Sequence, residues 1–347
     1  MFEGLRELKR DSVLKVFDAV IKRKNTSRTV ISQDTGLSFV TVSKIIDSFI
    51  EEDIFKQSHT NKCAILKRKS RLISAKQKYW VGIFDIRSTM FSFSVFDLNS
   101  SCIKSISKEP EESIFIDDVL RRFIMSAEKF VQEQCYISSC CGIGVLVPGN
   151  YDPVTDKVTD SEIPHLGVIK IKEFFSNYTY GHIPYVASLY TSFANELSLT
   201  LPDDHSALTL FLDKNCVKTA YALPDRLGKL HVKDLGSLMA TPFRRFSSVV
   251  RSVPDPDDLF PGLSEILYVL ISTLNITDII VAGYLYSEFS AVPPVLRDYL
   301  GRLCADNGAT LPAISTADLM KSARKNISRE MWRKWMLETV LYEDNIT

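Results

Sequence analysis

The apolar residues of this chain change their spacing near residue 78, and that change limits what each part can fold into. Before it, Val13, Val16, Phe17, Val20 and Ile21 recur at i, i+3, i+4, i+7 and i+8, the single face of an amphipathic helix. Lys22, Arg23 and Lys24 close that helix with cations at the negative end of its dipole. Thr26 and Ser27 can cap a short second helix that turns Val30 and Ile31 inward. Gly36 then supplies the positive φ of a tight turn, and Leu37 fills the space between helices. Ser38 caps a third helix whose Val42, Ile45, Ile46, Phe49 and Ile50 share one face. Helix, glycine turn, helix is the helix-turn-helix arrangement. Beyond residue 78 the pattern becomes one of short apolar runs, which read as strands alternating with helices.

Charge divides at the same place. Lys+Arg and Asp+Glu both total 42, a net charge of zero. Residues 1–78 hold 17 Lys/Arg against 9 Asp/Glu, a balance of +8, and the other 269 residues carry −8. The basic head is predicted to read double-stranded DNA, and the acidic body to be repelled by it. The outer, N-terminal part of the third helix presents Ser38, Phe39, Thr41, Ser43 and Lys44, which suit entry into a major groove. Arg28 opens the second helix and joins this set. Ile54–Gln57 and Ala64–Lys67 are predicted to pair as a two-stranded wing, with Asn61 and Lys62 near its tip.

In the body, strands are predicted at Tyr79–Ile86, Met90–Phe96, Ile103–Ile106 and Cys141–Val147, with a helix over Ile114–Gln134 between the last two. A second set follows: strands at Leu208–Leu212, Val217–Ala222 and Asp278–Ala282, with helices at Leu263–Leu274, Val292–Cys304 and Ala317–Leu341. Strands, a helix and a further strand, given twice, predict an α/β body of two ribonuclease-H-like lobes around a cleft. The expected domains are 1–78, a winged helix-turn-helix; 79–185, a first lobe completed by the C-terminal helix 317–347; and 186–316, a second lobe.

Other functions are excluded by composition. No apolar run reaches the roughly 18 residues of a membrane span, and MFEGLRELKR lacks the apolar core of a secretion signal. The chain is expected to be cytoplasmic, without a membrane partner. None of the seven cysteines has C-x-x-C spacing, so no metal or cofactor is expected. Near the C-terminus Arg324, Lys325, Arg329, Arg333 and Lys334 interleave with Met331, Trp332, Trp335 and Met336, which reads as a helix packing its apolar side inward beneath solvated cations.

Two sets of residues carry a family resemblance. In the head, Thr35 to Ile46, T-G-L-S-x-x-T-V-S-x-I-I, resembles the helix-turn-helix opening of repressors in the ROK family (repressors, open reading frames and kinases). In the body, Gly142–Gly149 followed by Asp152-Pro153 resembles that family's G-I-G-x-x-x-P-G segment, Val81–Thr89 its first phosphate loop, and Asp278–Gly283 the strand before its nucleotide site. The resemblance implies a DNA-binding transcription regulator, a homodimer or higher homo-oligomer that represses carbohydrate-related genes, with a double-stranded DNA operator and a carbohydrate effector as partners. The alternative it carries is a divergent sugar kinase that phosphorylates a hexose or N-acetyl hexosamine with ATP.

Against the family's catalytic pattern this sequence departs at several points. Arg87 and Ser88 stand at the loop glycines, and Tyr284 at the second glycine of the late pair. Ser188 stands at the general-base aspartate, and a neutral hydroxyl is no substitute for a carboxylate. Asp234-Leu235-Gly236-Ser237 replaces E-x-G-H, and residues 240–254 contain no Cys, His or Gly where a zinc loop belongs. No catalytic residue is therefore expected. Asp85, Asn150, Glu196 and Asp234 remain as polar candidates for holding an effector.

Overall fold

A computed structural model of the chain describes residues 10–59, 71–76, 78–88, 90–110, 115–134, 139–178, 180–202, 205–212, 217–224, 230–239, 256–283 and 292–340. The head consists of α1 (Arg10–Arg23), α2 (Arg28–Thr35), α3 (Phe39–Glu51) and an antiparallel ribbon of β1 (Phe55–His59) and β2 (Arg71–Ala75). Its core is formed by the predicted face: Val13, Val16, Val20, Ile31, Val42, Ile45, Ile46 and Phe49 have no accessible surface. Three rings lock this core, with Phe49 centred 4.6 Å from Phe55 and 6.1 Å from Phe17.

The ribbon corrects the sequence reading. Its second strand is Arg71–Ala75, not Ala64–Lys67, which lies outside the described residues. The physical reason is a tertiary one. Ile73 is fully buried, and its backbone exchanges hydrogen bonds with Thr26 at the start of α2 (Thr26 N–H to Ile73 O, 3.1 Å; Ile73 N–H to Thr26 O, 2.7 Å). A strand is fixed here by its partner across the head, whereas the more apolar 64–67 run has only composition to recommend it.

The body continues with β3 (Trp80–Ile86), β4 (Phe91–Phe96), β5 (Cys102–Lys108), α4 (Ile116–Gln134) and β6 (Cys140–Val147). A small hairpin of β7 (Asn150–Asp152) and β8 (Lys157–Thr159) follows, then α5 (Ile171–Ser176), β9 (Tyr185–Ser188) and α6 (Leu189–Ser198). The remaining elements are β10 (Ala207–Leu212), β11 (Val217–Pro224), β12 (Leu230–Met239), α7 (Pro256–Leu274), β13 (Asp278–Ala282), α8 (Val292–Asp306), β14 (Ala313–Thr316) and α9 (Leu319–Trp335).

Two five-stranded sheets result, ordered β5-β4-β3-β6-β9 and β12-β11-β10-β13-β14. Each has three consecutive antiparallel strands in sequence, then two more added beside the first of them, so the repetition expected from the sequence is present as a repeated strand order. In the second sheet β13 runs parallel to β10, and β14 parallel to β13. Gly82 sits where β3 passes under a ring. A Cβ there would lie 2.6 Å from the Phe93 ring and 2.8 Å from the Ile143 side chain, so any larger residue would force both to shift.

The chain divides into two compact units, Met1–Val145 with Lys172–Tyr185 and Ile327–Thr347, and Leu146–Ile171 with Val186–Asn326. In the first, Phe84 packs on Phe93 (4.7 Å between ring centres) and on Phe175 (5.1 Å). The second is built on Leu208, Leu210, Leu263, Leu267, Ile279, Leu296 and Leu300.

The C-terminal half of α9 packs within the first unit as its composition suggested. Trp332 is 1% exposed, donates from Nε1 to the Asp97 carbonyl (2.8 Å), and meets Trp335 edge to face at 5.6 Å. Gly144 lets that helix approach β6, since a Cβ there would meet Met331 Sδ at 2.6 Å. Arg333, on the outer side, reaches Asp18 of α1 at 3.6 Å. Burial raises the Asp18 carboxyl above its ordinary range, and the Arg333 charge opposes that rise.

Candidate nucleic-acid interface

Capping fixes the geometry of α3. Ser27 caps α2 by accepting from the Val30 N–H (3.4 Å), and Gly36 ends it in the left-handed region at φ 67°. Ser32 Oγ donates to the Leu37 carbonyl at 2.6 Å, which ties the turn back onto α2. Ser38 then caps α3: its Oγ accepts from the Thr41 N–H (3.1 Å) and shares a 2.8 Å hydrogen bond with Thr41 Oγ1. With Val42, Ile45, Ile46 and Phe49 turned inward, the opposite side of α3 is the row Val40, Lys44, Asp47 and Glu51, all exposed.

The candidate DNA contacts separate into outward and inward groups. Phe39 is 52% exposed, and Ser38 and Lys44 also face outward. Thr41 is half-buried beside them, its hydroxyl held by Ser38. Arg28 and Ser43 differ from expectation. The Arg28 guanidinium is committed to a two-pronged pair with the Asp47 carboxylate (2.6 and 3.1 Å) and to Gln57 Oε1 (3.2 Å). That pair cancels the one acidic charge in the middle of the outer row, so Arg28 holds α3 in place and conditions its charge. Ser43 lies on the flank of the helix, where its hydroxyl is enclosed without a hydrogen-bond partner. Asn61 and Lys62 lie outside the described residues. Val40, 77% exposed, was missed; its place on the helix, four residues before Lys44, was the available signal.

Two of the positions compared with the kinase pattern, Asp85 and Arg87, are partnered inside the protein, and a third, Ser188, is not. Asp85, fully buried at the end of β3, accepts from Ser92 Oγ at 3.4 Å, and Arg87 Nε lies 3.6 Å from its other oxygen. A guanidinium thus faces the buried carboxylate from a position where the family pattern has a glycine open to phosphate. Ser188 is the N-cap residue of α6, 9% exposed, and its hydroxyl is buried with no hydrogen-bond partner.

The other effector candidates are placed as follows. Asn150 is half-buried in the β7–β8 hairpin, where its carbonyl accepts from Thr159 Oγ1 (3.4 Å). Glu196, 4% exposed, is paired with Lys325 Nζ at 2.5 Å within the second unit. Asp234 lies opposite Ala220 beside a register shift in β12, and its side chain lies outside the described residues, as do Tyr284 and residues 240–254. A cation that sequence reasoning passed over is Lys218, 3% exposed, whose ammonium sits 4.8 Å above the Tyr190 ring and 3.6 Å from the Asp160 carboxylate. Among the described residues no group of three or more His, Cys, Asp or Glu is placed to hold a metal, and no helix is long and apolar enough to cross a membrane.

Solved structures share this architecture. A ROK-family transcriptional regulator homologous to the E. coli Mlc protein superposes with a TM-score of 0.67 at 13% identity, covering 95% of this chain and 99% of its own. The chain shares the fold of this regulator. A ROK protein from Streptococcus pneumoniae in complex with sucrose matches 76% of this chain and 100% of its own, at a TM-score of 0.53 and 13% identity. The ROK hexokinase from Thermus thermophilus matches 74% and 99%, at a TM-score of 0.51 and 14% identity. The ROK fold thus includes both regulators and kinases, and the extent of overlap separates these neighbours. The head is more than a fifth of the chain, so a match over 95% must include most of it. No family model matches the sequence, and no curated protein matches it.

Proposed function

We propose that this chain is a ROK-family transcription regulator, a repressor of carbohydrate-related genes, in which the head is a winged helix-turn-helix and the kinase-like body is a non-catalytic effector and dimerisation domain. The observation that carries the reading is α3: a capped helix with a left-handed glycine turn before it and Phe39, Val40 and Lys44 presented outward. Its N-terminus suits approach to a major groove, where a two-fold dimer sets two such helices about 34–36 Å apart, or a multiple of that. Ser38, Phe39, Thr41 and Lys44 are the contacts proposed from α3, with Asn61 and Lys62 from the wing. A carbohydrate held near Asp85, Asn150, Glu196 or Asp234 is the proposed effector.

The test is retention of genomic fragments by the full chain and by Lys44→Glu. Binding by the wild type, weakened at least tenfold by reversal of this exposed charge, is the expected result. Failure of the intact chain to retain any fragment overturns the reading.

A kinase reading requires a base and an open phosphate loop. Ser188 at the base position and Arg87 against Asp85 argue against both. The expected outcome of incubation with ATP and glucose or N-acetylglucosamine is no sugar phosphate above background. Phosphorylation that disappears in Asp85→Ala contradicts the non-catalytic body.

A further inference from the structure

We propose that Phe39 and Val40 read thymine methyl groups, so that the bound DNA carries thymine under the tip of α3 in each half-site. The inference rests on the DNA-binding reading above and specifies which bases it selects.

Most polar groups at the tip of α3 are already committed and are not free to read a base. Ser38 Oγ and Thr41 Oγ1 are bonded to each other, and Ser38 also accepts from the Thr41 N–H, so this pair is occupied in fixing the helix start. The Ser43 hydroxyl is enclosed on the flank. Arg28, whose fork would suit guanine, is spent on Asp47 and Gln57. Lys44 is exposed, and a compact ammonium on a flexible stem serves a phosphate better than a two-pronged base contact.

What remains outward on the first turn is apolar: Phe39 at 52% and Val40 at 77% exposure. They are not strays of the core, whose helix face is completed by Val42, Ile45, Ile46 and Phe49 at 0%. Two large apolar side chains in water at the leading end of a helix, on a head of charge +8, point to an apolar feature on a polyanion. The major groove offers one, the C5-methyl of thymine, which the other three bases lack.

The experiment selects duplexes from a random pool with the full chain. It then replaces each thymine of the selected site, one at a time, with deoxyuridine, which removes only the methyl. Affinity is expected to fall about fourfold at one or more positions per half-site, the effect of one methyl no longer withdrawn from water. With Phe39→Ala and Val40→Ala combined, thymine and deoxyuridine duplexes should bind alike at those positions. Both residues are exposed, and the deoxyuridine scan on the wild type stands without any variant. Selected DNA that binds equally well at every thymine-to-deoxyuridine exchange overturns the inference and leaves the DNA-binding reading intact, as does a penalty that persists in the double variant. A chain that selects no duplex at all removes the DNA-binding reading, and this inference with it.

Discussion

Phe49→Ala is expected to cost about 3–5 kcal/mol of stability, the range for deleting a buried aromatic ring. Phe49 has no accessible surface and lies on the inner face of α3, against Phe17 of α1 and Phe55 of β1. Its removal leaves a cavity where helix and ribbon meet, and the neighbouring rings are too constrained by their own backbones to fill it. Because α3 takes its orientation from this contact, retention of DNA should be lost along with stability. Phe49→Leu keeps most of the volume and should cost far less. Urea unfolding measures the first effect and fragment retention the second. An alanine variant within about 1 kcal/mol of the wild type would show that α3 is positioned by something other than this cluster.

Trp332→Ala should be of similar size, about 3–5 kcal/mol, with two distinct contributions. The indole is 1% exposed and packs edge to face on Trp335, so its loss opens a cavity. Its Nε1–H also donates to the Asp97 carbonyl at 2.8 Å, in the turn between β4 and β5. That turn is already fixed by the Asp97 carboxylate, which accepts from the Asn99 and Ser101 N–H groups at 2.9 Å each, and by Ser328 Oγ meeting Ser100 Oγ at 3.1 Å. Trp332→Phe keeps most of the packing without the donor, and should cost about 1 kcal/mol for the lost hydrogen bond, since the Asp97 carbonyl still accepts from the Ser100 N–H at 2.9 Å. Unfolding of the three proteins side by side checks the order wild type, Phe, Ala.

What the sequence made legible followed from local physics. The α1 face, the Ser27 and Ser38 caps and the Gly36 turn depend on neighbours three or four residues away, and each stands where spacing put it. Strand β13 was bounded correctly because Asp278 opens the continuous apolar run Ile279–Ala282 and Gly283 ends it. The second wing strand was not legible, because Ile73 is selected by Thr26, 47 positions earlier, rather than by its own neighbours. Strand β14 escaped for a different reason. Of its four residues only Ile314 is buried, too little to make a pattern.

The site was legible in its elements and less so in its side chains. Lys44 and Phe39 could be placed on the outer part of α3 from helical spacing alone. The pairing of Arg28 with Asp47 could not, since two charges 19 positions apart carry no sign of meeting. For the same reason Arg87 could be recognised as a replaced glycine, but not as the partner of Asp85. In both cases a charge that looked available for a ligand is answered inside the protein.

On the proposed function, the basic head binds DNA while the acidic body does not. This is tested most directly by measuring affinity of the full chain for its retained fragment across a salt series. Neutralising phosphates releases counterions, so the logarithm of the binding constant should fall linearly with the logarithm of salt concentration, by about 0.9 per phosphate contacted. For a dimer using both heads, a loss of about a thousandfold between roughly 50 and 200 mM salt is predicted. A binding constant that stays flat across that range would contradict the account.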